Sequence, residues 1–370
     1  MKPEIIAFYL PQFYPTPEND EWWGKGFTEW TNVGKAKPLF KGHNQPRVPT
    51  ELGYYDLRLP IVREQQAQLA REAGVTAFCY WHYWFGNGKR LLSDVFEDVL
   101  KSGKPDFPFC LGWANHSWYS KLWRSDGTTE NKLLIEQQYP GIEDEKEHFS
   151  FFVKAFKDSR YLKIDGKPLL YIFDPNGIPL EYIDNIREWT RAAGFPDIFL
   201  VGNIQYASIN RDDLIKKGFD AVNYQRLGGS TSVFIRKMGR TGRGIRKIWQ
   251  KIKGLTFHVP PYKTDYAKAY KFLITNDDKN EEVIPSIVPQ WDHTPRSGWN
   301  GSFFVNATPD NFYKHSLDAL NTIRHKRNKI LFLKSWNEWG EGNFMEPDLT
   351  YGRGFVESLK KAKDEVFKVE

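Results

Sequence analysis

Cysteine is scarce in this chain of 370 residues: there are two, Cys79 and Cys110, and both lie inside apolar runs. We expect them to be buried free thiols, which is usual in a reducing compartment. No apolar run approaches the ~20 residues that a membrane-spanning helix needs. A short apolar stretch begins at Ile5, but no small-residue cleavage site follows it, so we expect no signal peptide and a cytoplasmic location.

Ligand patterns for metals and for nucleic acids are also missing. No two histidines have i, i+4 spacing, and the chain has neither zinc-ligand spacing nor an RNA-binding motif. The net charge of +6 is mild and does not by itself imply a nucleic-acid partner. We therefore expect no metal, no cofactor and no nucleic acid. No repeat, low-complexity tract or linker divides the chain, so residues 1–370 are expected to form a single domain.

Aromatic residues, by contrast, are abundant: they make up 16% of the chain, with 14 tryptophans. About half of them are expected to fill a wide core. A surplus of tryptophan and tyrosine in loops would suit sugar binding, because the apolar faces of a pyranose ring stack on aromatic rings.

Apolar runs and helical patterns alternate along the chain. The runs are near-continuous, as in strands of a parallel sheet buried on both faces, and span residues 5–10, 77–84, 109–113, 169–173, 198–202, 221–224, 284–290 and 330–336. Helical patterns span residues 60–73, 91–101, 143–157, 180–193, 212–217, 265–275, 310–324 and 354–367. Eight of each predict an α/β fold, a (β/α)8 TIM barrel. A doubly wound open sheet is the alternative, but no G-x-G-x-x-G follows the first strand.

Three connections are long, at residues 11–59, 114–142 and 225–264, and each follows the carboxyl end of a predicted strand. Barrel active sites are built at that end. Polar and aromatic residues cluster there, and such a mixture suits a polyhydroxylated ligand. The predicted substrate-binding residues are Tyr9, Trp30, Trp81, His82, Tyr83, Trp113, Asn115, His116, Trp118, Asp174, Tyr224, Gln225, Trp291, Asn337, Trp339 and Glu346. For some the alternative is structural: Asp174 as a turn cap, Glu346 as a turn residue and Trp118 as part of a loop core.

The most specific segment contains Glu338 and Glu341, three positions apart. Glycosidic cleavage needs two carboxyl groups in separate protonation states. Gly340 and Gly342 would let the backbone turn and bring both into one pocket, and nearby tryptophans would shield one of them. We therefore predict Glu338 and Glu341 as catalytic residues. The alternative is two surface glutamates in a glycine loop.

Four segments together resemble the WbsX family, which is found with O-antigen and capsule genes and is related to glycoside hydrolase family 99. They are YLPQFYPTPENDEWWGKGFTEW (residues 9–30), FCYWHYWF (78–85), WANHSW (113–118) and SWNEWGEGNFMEP (335–347). The resemblance covers nearly the whole chain and implies a β/α barrel that acts on a glycan without a metal. The expected partner is a bacterial surface polysaccharide or its oligosaccharide.

Family 99 implies roles for the two glutamates. Its enzymes are endo-acting α-mannosidases with a matching asparagine-glutamate-tryptophan-histidine-glutamate-glycine loop. By this match Glu338 is the base that deprotonates the sugar 2-hydroxyl, and Glu341 is the acid that protonates the leaving oxygen. The route passes through a 1,2-anhydro sugar and retains configuration. This chain has Gly340 in place of histidine and Asn343 in place of threonine, so a mannose preference is not carried over.

Two other functions compete with hydrolysis. The WbsX name carries a glycosyltransferase label, although the chain lacks the Asp-x-Asp metal site that nucleotide-sugar transferases often use. A glycan-binding protein without catalysis is the third reading, against which the presence of both Glu338 and Glu341 argues.

A basic insertion at about residues 227–262 contains eight basic residues and no acid between positions 234 and 254. Apolar residues recur at helical spacing within it, so one face would be apolar and the other cationic. Three readings stay open: a well-solvated insertion, a helix on an anionic membrane surface, or a lid that attracts an acidic glycan.

Overall fold

The protein is described by a computed structural model that covers residues 2–123, 129–205, 209–227 and 263–368. Its centre is a barrel of parallel strands in the order β7-β6-β5-β4-β3-β2-β1-β9-β8. The strands are β1 (Glu4–Tyr9), β2 (Ala77–Trp84), β3 (Phe109–Trp113), β4 (Lys167–Ile172), β5 (Phe199–Ile204), β6 (Ala221–Tyr224), β7 (Val283–Ile284), β8 (Ser286–Ile287) and β9 (Ile330–Leu333). All eight residues of β2 are buried, which explains its unbroken apolar sequence.

The barrel closes through one strand position that is broken in two. β7 pairs with β6, and β8 pairs with β9, while Pro285 stands between the two pieces. Proline has no N–H to give to a ladder, so the hydrogen bonding is interrupted there. The amide of Asn223 bridges the break and donates to the Ile284 carbonyl and to Ser286 Oγ, both at 2.8 Å. Nine strands therefore occupy eight positions, and the predicted (β/α)8 barrel is confirmed.

Eleven α-helices lie in the part of the chain that the structure describes. They are α1 (Pro17–Trp23), α2 (Glu29–Lys35), α3 (Pro60–Ala73), α4 (Asp94–Ser102), α5 (Ile142–Phe156), α6 (Leu180–Ala192), α7 (Arg211–Lys216), α8 (Tyr266–Ala269), α9 (Thr294–Ser297), α10 (Pro309–Ile323) and α11 (Gly354–Val366). Single 3-10 turns span Tyr270–Phe272, Asn276–Lys279, Gly298–Asn300 and Trp339–Glu341. Short strands outside the barrel ladder span Arg90–Leu91, Trp118–Trp123, Thr129–Ile135, Lys163–Ile164, Lys263–Asp265, Phe303–Val305, Asn337–Glu338 and Asn343–Phe344.

Two predicted elements differ from the structure. The helix predicted at 265–275 is wrong as a continuous helix, because α8 has four residues and passes into a 3-10 turn. The chain then turns at Thr275, whose N–H and hydroxyl both bond to the buried Asp278 carboxylate. The strand predicted at 284–290 is shorter, since its ladder is broken at Pro285 and ends at Ile287.

Aromatic rings fill the barrel beneath its carboxyl end. Phe8 stacks between Trp81 and Phe332, with ring centroids 4.8 and 5.0 Å apart, and Tyr171 meets it edge-on at 4.9 Å. This layer forms a rigid apolar floor on which polar side chains from the loops are held.

Both cysteines are buried free thiols, as predicted. Among the described residues, no helix has the length and apolar character to cross a bilayer. The predicted basic segment at 234–254 lies outside the described residues.

Candidate active site

A cavity of about 1680 Å³ opens at the carboxyl end of the barrel strands. The loops after several strands form its walls, and the first long connection contributes α1 and α2. The polar and aromatic side chains that line it include Gln12, Trp23, Glu29, Trp81, Tyr83, His116, Trp118, Gln205, Tyr224, Gln225, Arg226, Trp291, Arg296, Lys334, Glu338 and Glu341. Its size exceeds the ~300–1,000 Å³ of a typical small-ligand pocket and is enough for several sugar units.

The loop after β9 places both predicted catalytic glutamates in this cavity. Glu338 ends the short strand Asn337–Glu338, and a 3-10 turn then carries the chain to Glu341. Gly342 closes the turn at φ 54°, in the left-handed region that glycine adopts readily. The turn replaces the alternation of a strand, which would have pointed the two side chains to opposite sides.

Glu338 is buried against the aromatic floor, with 5% of its surface exposed. Trp81 Nε1 donates a hydrogen bond to Glu338 Oε1 at 3.2 Å. Burial raises the pKa of Glu338, the nearby Glu341 raises it further, and the Lys334 ammonium works in the opposite direction. A carboxyl group whose pKa lies above its ordinary value is a stronger base once it is ionised.

Glu341 lies in a different environment, at the end of a chain of charges. Arg296 Nη1 donates to Glu341 Oε1 at 2.6 Å, and its other nitrogens donate to both oxygens of Glu29 at 3.2 and 2.9 Å. Glu29 packs directly on the loop: a Cβ at Gly340 would lie 1.5 Å from Glu29 Oε1. The glycine at this position is therefore what makes room for the Glu29–Arg296 pair.

Several predicted substrate-binding residues line the cavity together with the two glutamates. They are Trp81, Tyr83, His116, Trp118, Tyr224, Gln225 and Trp291. Burial lowers the pKa of His116, so its imidazole is neutral at physiological pH and can both donate and accept a hydrogen bond. Gln225 is held in place by a 3.1 Å hydrogen bond from its amide to the Tyr171 hydroxyl.

The other predicted substrate-binding residues do not line the cavity. They are Tyr9, Trp30, His82, Trp113, Asn115, Asp174, Asn337, Trp339 and Glu346. Successive residues of a strand point to opposite faces of the sheet, so only some of the side chains at the end of each strand face the cavity. Several instead bond to neighbouring protein groups: the Tyr9 hydroxyl to Gln66, the Trp113 indole to the Trp84 carbonyl, and His82 to His148 at 2.8 Å.

Loop residues in this group have supporting contacts too. Asn337 bonds to both backbone groups of Leu10 and ties the loop after β9 to the residue that follows β1. The Asp174 carboxylate accepts a hydrogen bond from the Gly177 N–H, as a residue that caps a turn does. The Asn115 amide donates to the backbone carbonyl of Asp174. The Trp30 indole donates to a backbone carbonyl at 2.7 Å.

Glu346 lies behind the loop that carries Glu338 and Glu341, with 2% of its surface exposed. Its carboxylate accepts hydrogen bonds from Trp339 Nε1 at 2.6 Å, Gln66 Nε2 at 2.6 Å and the Tyr55 hydroxyl at 2.8 Å. Burial raises the pKa of Glu346 to about 7 against the effect of these donors. The residue therefore supports the loop that carries Glu338 and Glu341.

The charged residues of the cavity that the sequence did not predict include Glu29, Arg296 and Lys334. Glu29 lies inside the segment 9–30 that carries the family resemblance, so a signal for it existed. Arg296 and Lys334 belong to no motif, and only the fold brings them to the site. Within the described residues, no group of three or more histidine, cysteine or acidic side chains is arranged to hold a metal ion.

Comparisons with solved structures agree with this architecture. The chain is similar to a family 99 endo-α-mannosidase from Bacteroides thetaiotaomicron, with a TM-score of 0.55 and 17% identity, over 99% of this chain and 97% of that one. It is also similar to a glycoside hydrolase-like protein, with a TM-score of 0.56 and 16% identity, over 100% of this chain and 95% of that one. At these identities the likeness establishes the shared fold.

Sequence comparisons identify the family. An uncharacterised protein, WxcX, of Xanthomonas campestris pv. campestris is 33% identical over 366 residues, and this chain spans about half the length of that relative, 49%. The same protein from a second strain of that organism matches equally well. The model of the family described as glycosyltransferase WbsX matches residues 5–359. The chain therefore belongs to the WbsX family.

Proposed function

We propose that the protein is a glycoside hydrolase-like enzyme that cleaves a bacterial surface polysaccharide or an oligosaccharide derived from it. One observation carries the proposal: Glu338 and Glu341 line the same cavity but have different partners. Glu338 is buried beside Trp81, whereas Glu341 is bonded to Arg296. Two carboxyl groups in unlike surroundings meet the basic requirement for glycosidic cleavage, which needs one proton donor and one base or nucleophile.

The roles that we propose follow the family 99 resemblance. Glu338 accepts the proton of the sugar 2-hydroxyl, O2 attacks C1, and the bond from C1 to the leaving oxygen breaks. Glu341 delivers a proton to that leaving oxygen, which gives a 1,2-anhydro sugar. Water then attacks C1 and the C1–O2 bond breaks, while Glu341 takes a proton from the water and Glu338 returns its proton to O2. The two inversions at C1 leave the configuration retained. In this scheme the Glu341–Arg296 bond has to open when substrate binds, so that the Glu341 carboxyl group can turn to the leaving oxygen.

The cavity is consistent with an endo-acting enzyme. It is open, exceeds the volume of one sugar, and places tryptophans on several walls, including Trp23, Trp118 and Trp291. Aromatic platforms at several points bind consecutive rings of a chain better than a single terminal sugar. A cytoplasmic location, peripheral to the inner membrane through the basic segment 234–254, belongs to the same proposal.

Turnover of the matched glutamine variants tests the catalytic assignment. On the surface polysaccharide of the organism that encodes the protein, Glu338→Gln and Glu341→Gln should each lower the release of reducing ends by a factor of at least about 100. Binding of the polysaccharide should survive, because the amide keeps the shape of the carboxyl group. Glu143→Gln is the control, since that side chain is 82% exposed on α5. Undiminished turnover in both variants would sink the assignment.

A glycosyltransferase is the second candidate, favoured by the description of the family model. The two activities differ in what they consume. A hydrolase shortens the polysaccharide with no activated sugar present, whereas a transferase extends an acceptor only when a nucleotide- or lipid-linked donor is added. We expect shortening without a donor, and we expect EDTA to leave it unchanged. A protein that binds glycan but turns over neither would instead be a binding protein.

A further inference from the structure

We propose that Lys334 forms an anion-binding subsite inside the cavity, which recognises the carboxylate of a uronic acid in the glycan. The inference rests on the proposed function in one respect, that the ligand is a glycan. It adds the chemical class of the sugar bound beside Glu338.

The position of Lys334 is unusual for a lysine. It directly follows β9, has 7% of its surface exposed, and lines the cavity together with Glu338. Its ammonium group lies 5.8 Å from the centre of the Trp291 ring, which also lines the cavity. A cation held against an aromatic face keeps its charge available to a further partner on its open side.

The arginines that line the cavity are already bonded to acids. Arg211 pairs with Asp277 at 2.7 Å, Arg226 with the buried Asp278 at 2.7 Å, and Arg296 with two glutamates. No carboxylate of the described residues lies within ion-pairing distance of the Lys334 ammonium. Burying an unpaired ammonium is costly, so such a group is normally retained where a partner arrives.

Glu338 is the acid of the cavity whose charge acts on this lysine: the Lys334 ammonium lowers the pKa of Glu338 against the effect of burial. The two side chains are nevertheless not joined by a hydrogen bond or an ion pair, and the donor to the Glu338 carboxylate is the Trp81 indole N–H. Lys334 therefore remains the buried cation of the site with capacity for an anionic ligand.

A uronic acid fits this arrangement better than a free anion does. Trp291 lines the cavity beside the ammonium, so a pyranose ring in contact with this indole would place a carboxylate at C6 close to the charge. One buried cation next to one ring surface matches one sugar with one acid group. The other lysine that lines the cavity, Lys35, is exposed.

Paired trisaccharides test the inference, because each uronate has a neutral counterpart of the same linkage. The probes are β-1,4-mannuronate trimer with β-1,4-mannotriose, and α-1,4-galacturonate trimer with α-1,4-galactotriose. Titration calorimetry on the full chain should show at least one uronate bound tenfold or more tightly than its neutral counterpart. Its affinity should fall with added salt, and that of the neutral trimer should not.

Three variants make the result specific to this lysine. Lys334→Met, similar in length but uncharged, should abolish the preference for the uronate, and Lys334→Arg should keep most of it. Lys37→Met, at an exposed lysine outside the cavity lining, is the control and should behave as wild type. Circular dichroism spectra establish that each variant is folded.

Several outcomes would overturn the inference. One is a wild-type protein that binds no uronate more tightly than its neutral counterpart. Another is a Lys334→Met variant that keeps the preference. If Lys334 only offsets the charge of Glu338, Lys334→Met changes the pH profile of turnover and leaves the preference intact. The proposed function fails separately, by undiminished turnover in the glutamine variants of Glu338 and Glu341.

Discussion

Gly340, which has no side chain, makes room for a series of charged groups around the loop that carries Glu338 and Glu341. Glu29 occupies the space that a Cβ would need, and from there it holds Arg296, which in turn bonds to Glu341. Family 99, by the resemblance, has histidine at this position. In this chain a side chain at position 340 and the Glu29 carboxylate would fill the same space, so the glycine and the Glu29–Arg296 pair depend on each other.

Gly340→Ala should disrupt this arrangement. The new methyl group displaces Glu29, and overpacking of this kind typically costs about 1–3 kcal/mol of unfolding free energy. Turnover should fall as well, since Arg296 loses a partner next to Glu341. Urea unfolding and initial rates measure the two effects. Gly34→Ala on α2 is the control: no atom lies within 4 Å of its added Cβ, so stability should stay level or rise. Equal stability and equal turnover of the two variants would contradict the predicted clash between residue 340 and Glu29.

Glu346 gives the fold a pH dependence. Burial raises the pKa of Glu346 from its ordinary 4.5 to about 7 in the folded protein. Between these values the folded state binds more protons than the unfolded state, so stability falls as pH rises. The contribution is fully present below pH 4.5 and is lost as pH rises through about 7. Its size is on the order of 3 kcal/mol, since one pKa unit corresponds to about 1.4 kcal/mol.

Glu346→Gln should remove that dependence. The amide cannot ionise, so the unfolding free energy of wild type minus that of the variant should decrease between pH 4.5 and 7 and level off above. Chemical denaturation at a series of pH values provides the measurement. Glu143→Gln, at an exposed position, should show a nearly constant difference. If the difference in unfolding free energy between wild type and Glu346→Gln did not change with pH, the Glu346 carboxyl group would have the same pKa in the folded and the unfolded states.

The sequence identified Glu338 and Glu341 because their loop carries a motif whose spacing and glycines imply a turn. It did not distinguish lining residues from supporting ones. Glu29 and Arg296 are 267 positions apart, and Arg296 and Glu341 are 45 apart. Contacts over such separations leave no local pattern, so ion pairs of this kind became visible only in the fold.

At the scale of elements, the weak point of the barrel ladder is the break at Pro285. Asn223 on β6 compensates for it from inside the barrel: its amide nitrogen donates to Ile284 and Ser286, and its oxygen accepts from the Tyr171 hydroxyl at 3.1 Å. The side chain is fully buried, so water cannot replace these bonds.

Asn223→Leu should be strongly destabilising although the volume changes little. It removes the donor to the Ile284 carbonyl and to Ser286 Oγ, and it removes the acceptor of the Tyr171 hydroxyl, which keeps its bond from Gln225. Each buried polar group left unsatisfied costs about 1–3 kcal/mol. We expect a loss of at least about 2 kcal/mol of unfolding free energy, measured by urea denaturation. Asn321→Ala, at an exposed position on α10, should stay within about 0.5 kcal/mol of wild type. A similarly small effect of Asn223→Leu would show that the break needs no bridge.

Elements were predictable where burial was uniform along the chain. Strands such as β2, buried throughout, leave a continuous apolar run. The sequence did not predict the antiparallel strands Trp118–Trp123 and Thr129–Ile135. Polar and apolar residues are mixed along them, and the two strands pair with each other inside one connection rather than with the barrel. For α1 a signal did exist: Thr16 accepts from the Asn19 N–H, and proline follows it, an ordinary helix start.

At the scale of the whole molecule, the chain ends meet in one core. β1 pairs with both β2 and β9, and α11 packs on α10 and α3. The Lys363 ammonium also donates to the Gly74 carbonyl at 2.7 Å and ties α11 to the end of α3. One hydrophobic cluster runs from Ile5 to Ala362, and a smaller one around Tyr266 lies beside it. Unfolding of any part of the barrel therefore breaks the hydrogen bonds between neighbouring strands.

This closure predicts a single cooperative transition for the described barrel, as expected for one domain. Tryptophan fluorescence and far-ultraviolet circular dichroism should give the same urea midpoint. Leu359→Ala, in the fully buried face of α11, should lower both midpoints together and cost about 2–5 kcal/mol. Leu349→Ala is the matched control, since Leu349 is 72% exposed. Two separate transitions, or a Leu359→Ala effect confined to one probe, would show that α11 and the strands unfold independently. The single-domain prediction would then be wrong, because the first and last strands would no longer unfold together with α11, the helix that covers them.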